Sequence, residues 1–191
     1  HDIEFLTRIS TLLHADDPTL PDLVGMERNS ELIFLPISGH PQAWGKRLAP
    51  LNLPEFHLYD REESPVTELR QQTVATINQR CCCRAMLTSK RSLENYLHPQ
   101  AIQDIADIAP QFGDQDCVAT DVAQRVFDNT HDDYSWSQLT RRAQVRLTNR
   151  VKHWLNTSAV EKMTLPLLQE RDPDGEIISW LETIGQLAKT A

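Results

Sequence analysis

Apolar residues recur at helical spacing in the first segment of the chain, Asp2–His14, and Asp16-Asp17-Pro18 ends that pattern. Apolar positions three or four residues apart predict an amphipathic helix. Short continuous apolar runs, by contrast, are typical of buried strands. We predict strands at three such runs: Glu31–Ile37, Glu55–Tyr59 and Cys82–Leu87.

Segments of helical character lie between these strands, at Pro41–Leu51 and Pro65–Arg80. Strands that alternate with helices indicate an α/β fold with a parallel, helix-covered sheet. Ligands of such sheets bind outside the carboxyl ends of the strands. Three polar positions fall at those ends and are where chemistry is expected: Ser38-Gly39, Asp60 and Ser89.

The chain beyond Leu97 carries no convincing strand pattern, so we expect an α/β part at 1–98 and a helical region at 99–191. The helices of this region are predicted at Gln100–Ile108, Val118–Phe127, Trp136–Leu155, Met163–Gln169 and Glu176–Ala188. Asp172-Pro173-Asp174-Gly175 resembles the start of a calcium loop but lacks its ligand spacing and closing glutamate. We interpret it as a turn that caps the last helix.

Length and composition are those of one globular domain, with or without a helical appendage: 191 residues, 40% apolar and 24% charged. No run approaches the roughly 18 apolar residues of a membrane span, so no membrane partner is expected. The net charge of −8 argues against nucleic-acid binding by a basic field alone. If nucleic acid is bound, metal ions and local patches must contribute.

Cysteine and histidine patterns give no sign of a zinc site. The cysteines, Cys81 to Cys83 and Cys117, lack C-x-x-C spacing, and the seven histidines lack an H-E-x-x-H motif. We interpret the cysteines as reduced strand residues, which favours a cytoplasmic protein. The histidines are interpreted as surface or core residues.

Two polar segments follow the second and third predicted strands. Asp60-Arg61-Glu62-Glu63 offers carboxylates that can converge on a hard cation, or it is a helix-capping turn before Pro65. Ser89–Leu97 combines a hydroxyl, a carboxylate and two cations, a mixture suited to a metal and a phosphodiester. The alternative is a basic loop in which Ser92 starts a helix. The residues alone leave both alternatives open.

The order of these motifs resembles the Toprim nuclease domain of the OLD (overcoming lysogenization defect) family, in which an ABC-type ATPase is joined to a Toprim domain. The most specific part is Arg91-Ser92-Leu93-Glu94-Asn95-Tyr96-Leu97. The resemblance continues into the helical region and covers most of the chain. Its later parts are Lys152 to Asn156, Met163-Thr164, Asp172, Gly175 to Ile177 and Trp180-Leu181.

The resemblance implies a site position by position. The family's first strand ends in Glu-Gly-x-x-Asp, and His1-Asp2 fits the last two positions of that motif. The motif's glutamate and the first strand are therefore expected upstream of His1, and 1–98 is expected to be a Toprim core that lacks its first strand. Asp2 and that glutamate would hold one metal, with Asp60, Ser92 and Glu94 around a second. Glu62 stands where many Toprim domains have aspartate, and is one methylene longer. Lys152 matches a lysine from the helical tail.

The function implied is a DNA endonuclease that uses two Mg²⁺ or Mn²⁺ ions roughly 4 Å apart, serving prokaryotic defence against foreign DNA. Asp60, Glu94 and Lys152 would be catalytic. The expected partners are DNA, further copies of the chain, and an ABC-type ATPase in cis or in trans, since no G-x-x-x-x-G-K-[ST] motif occurs here.

Arg142, Arg146 and Arg150 form a predicted basic stripe on one helix. The stripe suits a DNA backbone, and equally a solvated face that pairs with the acidic stretch before it, Asp114–Asp133. Two other functions also remain open. One is a catalytically silent Toprim module for regulation or dimerisation, and the other is a phosphoacceptor receiver domain, which would need an acidic pair and a lysine that are absent at the expected strands.

Overall fold

The structure is a computed structural model, and it describes residues 1–36, 47–131 and 133–190. Two compact units make up the chain. The helical unit contains residues 1–9 and 90–173, and the sheet unit contains the described residues of 10–89 and 174–191. The predicted division at residue 98 stays a prediction.

The sheet unit has an α/β core of two parallel strands. Strand β1 (Glu55–Tyr59) pairs with β2 (Cys83–Leu87), with Glu55 opposite Cys83 and Tyr59 opposite Leu87. Helix α3 (Val66–Ile77) connects them, as a parallel pair requires. This confirms the predicted strand, helix and strand. Helix α3 and the two strands meet at an apolar cluster of Ile77, Cys83 and Ala85, with Tyr59 and Val74 packed against it.

Helices α1 (Asp2–Asp16), α2 (Leu23–Arg28) and α8 (Glu176–Ala188) also contribute to the sheet unit. The buried hydroxyl of Ser10, on α1, donates to the Pro21 carbonyl (3.1 Å) and accepts from the Leu23 N–H (2.7 Å), which fixes the start of α2. Gly185 permits close packing of α8, because a Cβ there would lie 2.7 Å from Pro21 Cγ. The predicted first and last helices are confirmed.

The helical unit is built from the first residues of α1 and four further helices, in agreement with the predicted helices there. These are α4 (Pro99–Ala106), α5 (Val118–Thr130), α6 (Arg141–Trp154) and α7 (Leu165–Arg171). The prediction of one helix over Trp136–Leu155 is wrong at its start. Trp136–Gln138 is a separate 3₁₀ turn, and α6 begins after Thr140, whose hydroxyl accepts the Ala143 N–H (3.3 Å) as its N-cap.

The predicted strand at Glu31–Ile37 is wrong over residues 31–36, which are irregular. Ile33 is 75% exposed and Leu35 is 44% exposed. An apolar run forms a strand only where a neighbour covers it, and no described strand pairs with this one. Residues 37–46, with Ser38-Gly39 and most of the predicted helix Pro41–Leu51, lie outside the described residues; Ala49–Leu51 is a 3₁₀ turn.

Only one of the three adjacent cysteines belongs to a strand. Cys83 starts β2 and is buried, whereas Cys81 and Cys82 lie exposed in the preceding turn, with Cys82 at φ +58°. The prediction of strand residues is therefore wrong for Cys81 and Cys82. All four cysteine thiols are free. Within the described ranges, no helix is both long and apolar enough to cross a membrane.

Candidate active site

The carboxyl ends of β1 and β2 are tied together directly before and after Asp60. The Thr88 N–H donates to the Tyr59 carbonyl (3.0 Å), which extends the strand pairing by one step. The Arg61 N–H donates to the Thr88 hydroxyl and its Nε to the Thr88 carbonyl, each at 2.9 Å. Thr88 is fully buried. Asp60 is therefore held at the sheet edge that the sequence predicted.

Glu62 lies in a turn whose backbone is sterically uncommon for a residue with a side chain. Its φ is +56°, in the left-handed region. The Thr67 hydroxyl donates to the carbonyls of Arg61 and Glu62, both at 3.0 Å, so α3 holds this turn in place. The N-cap position of α3 is Pro65, so no carboxylate occupies it. Asp60 and Glu62 are both partly exposed.

Ser89 contacts a residue that the sequence did not mark as functional. The Ser89 N–H donates to Glu176 Oε1 (2.9 Å) and its hydroxyl donates to Glu176 Oε2. Glu176 is the first residue of α8, directly after Gly175, whose φ of +68° forms the predicted turn. Glu176 thus fastens the loop after β2 within the sheet unit.

The segment around Ser92 has a clear structural role in the helical unit. The Ser92 hydroxyl and N–H both donate to Asn95 Oδ1, at 2.9 and 3.1 Å, which forms a capping box at the 3₁₀ turn Leu93–Tyr96. Asn95 Nδ2 donates in turn to the carbonyls of Gly113 (2.9 Å) and Asp116 (3.0 Å). Ser92 therefore starts a turn of helix, as one of the two sequence alternatives expected.

The basic residues of the same loop are engaged by neighbouring groups. Lys90 forms an ion pair with Asp114, which also contacts Arg171 Nη2 at 3.4 Å. The Arg91 N–H donates to the Asp114 carbonyl (2.7 Å), and its guanidinium donates to the Gln115 carbonyl (3.3 Å). These contacts anchor the loop, so Lys90 and Arg91 hold structure at the positions where the sequence suggested phosphate contacts.

Glu94 is a buried carboxylate with two donors on one oxygen. Its side chain is 2% exposed. Asn156 Nδ2 donates to Oε1 at 2.6 Å, and Lys152 Nζ lies 3.4 Å from the same oxygen. Lys152 comes from the last turn of α6, 58 positions further along the chain. The structure thus brings Glu94 and Lys152 together in the helical unit.

Asn156 joins this pair through an irregular helical turn. Residues Leu155–Ala159 form a π turn directly after α6, a local feature frequent at functional sites. Asn156 is fully buried, and Nδ2 also donates to the Lys152 carbonyl at 3.1 Å. Two acceptors therefore fix the amide orientation. Its Oδ1 is buried and, among the described residues, has no hydrogen-bond partner.

An acceptor buried without a donor is costly, and native proteins place water or an ion at most such atoms. Asn156 Oδ1 and the Glu94 carboxylate are oxygen ligands of the kind that Mg²⁺ and Mn²⁺ prefer. The helical unit therefore has groups that fit such an ion. The sequence places Asn156 in one of the resembling segments but predicts no role for it, because nothing in its spacing predicts a π turn.

The proposed site residues are divided between the two units. Asp2 is the exposed first residue of α1 and belongs, like Ser92, Glu94 and Lys152, to the helical unit, whereas Asp60 and Glu62 belong to the sheet unit. On α6 the arginines of the predicted stripe are exposed, and none makes an ion pair with another described residue. Pairing with the acidic stretch is not observed in the described part of the chain.

Comparison with known proteins assigns no family to the chain. No protein-family model matches it, nor does any curated protein or any solved structure.

Proposed function

We propose that the chain is the Toprim-type catalytic domain of a metal-dependent DNA endonuclease of the OLD type. Mg²⁺ or Mn²⁺ is the proposed cofactor. Asp2, Asp60, Glu62, Ser92 and Glu94 are the proposed ligands. Lys152 is the proposed cation beside the reacting phosphate. The motif order supports this assignment, and one contact in the helical unit carries it.

That contact joins Glu94 to Lys152. A carboxylate withdrawn from water loses several kcal/mol of hydration, and an ion pair often offsets this cost only in part, so a buried one usually serves a purpose other than stability. Lys152 matches a lysine that the OLD family brings from the helical tail to the site. Its side chain keeps 28% exposure, so substrate can reach it from solvent. The unpaired Asn156 Oδ1 beside it favours a further ligand.

Two divalent ions, when bound, activate a water molecule and stabilise the leaving oxygen of a phosphodiester. The contribution of the chain is to hold the carboxylates and to fix Lys152. A cation held by a buried partner does not need to reorganise when negative charge develops on phosphate, which is the source of electrostatic catalysis. Glu94 and Asn156 position Lys152 for this task.

Cleavage of supercoiled plasmid by the full-length polypeptide tests the proposal, in Mg²⁺, in Mn²⁺ and in EDTA. Glu94→Gln and Asp60→Asn are compared with Glu182→Gln, which changes an exposed glutamate of α8. We expect metal-dependent nicking that each site variant lowers by about 100-fold or more and that the control leaves unchanged. Nicking in EDTA, or full activity in both site variants, would contradict the proposal. Circular dichroism establishes that every variant is folded.

DNA binding is tested through the basic stripe of α6. A triple change to glutamine at Arg142, Arg146 and Arg150 is compared with one at three exposed basic residues elsewhere: Arg28, Lys162 and Lys189. Each phosphate contact that is lost lowers the slope of log affinity against log salt by about 0.9. We expect a lower slope for the stripe variant only. Equal slopes would remove the stripe from the interface.

A silent Toprim module is the second candidate, and the capping box favours it. Ser92 donates its hydroxyl hydrogen to Asn95, and Asn95 holds a loop, so the most specific motif has a structural explanation without metal. Folded protein that never nicks plasmid in either metal would support this alternative.

A further inference from the structure

We propose that His1, Glu4 and His153 form a second metal site, one that takes a divalent transition metal of the zinc class. The three side chains belong to the helical unit, and their ligand atoms all lie within 4.8 Å of one another. The site uses none of the residues proposed for the nuclease. It therefore stands or fails independently of the proposed function.

Distances between the ligand atoms carry the proposal. His1 Nδ1 lies 3.1 Å from His153 Nδ1, and Glu4 Oε2 lies 3.8 Å from the first and 4.0 Å from the second. Ligands about 2.0 to 2.2 Å from a tetrahedral zinc ion lie roughly 3.3 Å apart. Shifts of well under 1 Å in exposed side chains therefore suffice to close the triangle around one ion.

Helical backbone presents the ligands. His1 directly precedes α1, and Glu4 lies three residues further on in its first turn, a spacing that places both on one face. His153 lies in the last turn of α6. The centroids of the two imidazole rings are 4.8 Å apart and the ring planes are tilted by 53°, so the rings do not stack face to face. Both nitrogens of the short pair can then turn towards a shared cation.

The types of ligand atom determine which metal ions the site would bind. Two imidazole nitrogens and one carboxylate oxygen suit Zn²⁺, Ni²⁺ or Cu²⁺, whereas Mg²⁺ prefers oxygen ligands alone. All three residues are at least partly exposed, so a fourth position stays open to water or to a ligand from solvent. The hydrogen bond between the two rings satisfies the site when no metal is present.

Titration calorimetry of the full chain with Zn²⁺, and visible spectra with Co²⁺, test the site. His153→Ala and Glu4→Gln are compared with His131→Ala, an exposed histidine of the same unit that stacks on Phe127. We expect one Zn²⁺ per chain, an affinity weakened by roughly tenfold or more in each site variant, and no change in the control. Excess Mg²⁺ should not displace the ion.

Zn²⁺ should also raise the melting temperature of the parent chain and not that of His153→Ala, because a bound ion links α1 to α6. Binding that survives His153→Ala with unchanged affinity would show that His153 is not a ligand, and would overturn the proposal. Absence of any Zn²⁺ binding would overturn it as well. Loss of plasmid nicking in Asp60→Asn with Zn²⁺ binding intact would separate the two sites.

Discussion

Removing the Lys152 ammonium should destabilise the helical unit, because it leaves the Glu94 carboxylate buried without a counter-ion. Lys152→Met keeps an unbranched apolar side chain, one heavy atom shorter, and removes the ammonium group. Breaking a buried ion pair from one side costs about 3 to 5 kcal/mol. The distance of 3.4 Å and the 28% exposure of Lys152 weaken this pair, and Asn156 keeps its bond to the same oxygen. We therefore expect a loss of about 2 to 3 kcal/mol.

Urea unfolding followed by circular dichroism measures this loss, and in a chain of this length it corresponds to a melting temperature lower by about 5 to 10 °C. Lys162→Met, at an exposed position ten residues further along the chain, is the matched control and should stay within about 0.5 kcal/mol of the parent.

A double change, Glu94→Gln with Lys152→Met, makes the test specific. Replacing both partners by neutral groups removes the uncompensated charge, so the double variant should regain about 1 to 2 kcal/mol over the sum of the single changes. Strict additivity, or a Lys152→Met variant as stable as the control, would refute the conclusion that this lysine compensates a buried carboxylate.

Two further predictions concern carboxylates whose pKa differs from the ordinary value. Burial raises the pKa of Asp121, and Asp116 raises it further. The ionised form of Asp121 therefore destabilises the fold at neutral pH, so Asp121→Asn should raise the free energy of unfolding there by less than about 1 kcal/mol. Below the ordinary pKa of aspartate the substitution should bring no gain. Burial alone would raise the pKa of Glu55, but hydrogen bonds from Arg80 and His57 outweigh it and lower that pKa. The ionised Glu55 carboxylate therefore stabilises the fold above its unfolded pKa, and this contribution is lost as the pH falls through the lowered value. Arg80→Gln should accordingly lower the free energy of unfolding by about 2 kcal/mol at pH 7 and by much less in acid. Thermal melts over a pH series check both.

The local pattern of apolar residues was sufficient to predict an element wherever its hydrogen bonds are made within one segment or with a neighbouring one. The period of apolar residues predicted α1, α3 and α8, since a helix satisfies its backbone hydrogen bonds internally. It predicted β1 and β2 as well, because the helix between them leaves a parallel pair as the simplest arrangement. The same pattern failed at residues 31–36, where no described strand covers the apolar side chains.

Sequence by itself determined which residues are candidates for the chemistry: carboxylates after predicted strands, a Ser-x-Glu-Asn motif and a lysine from the helical tail. Tertiary structure alone decided which of them meet. Two contacts join positions at least 58 residues apart, Glu94 with Lys152 and His1 with His153. A third feature, the burial of Asn156, depends on an irregular π turn. Such contacts follow from the packing of whole helices, and no local spacing along the chain encodes them.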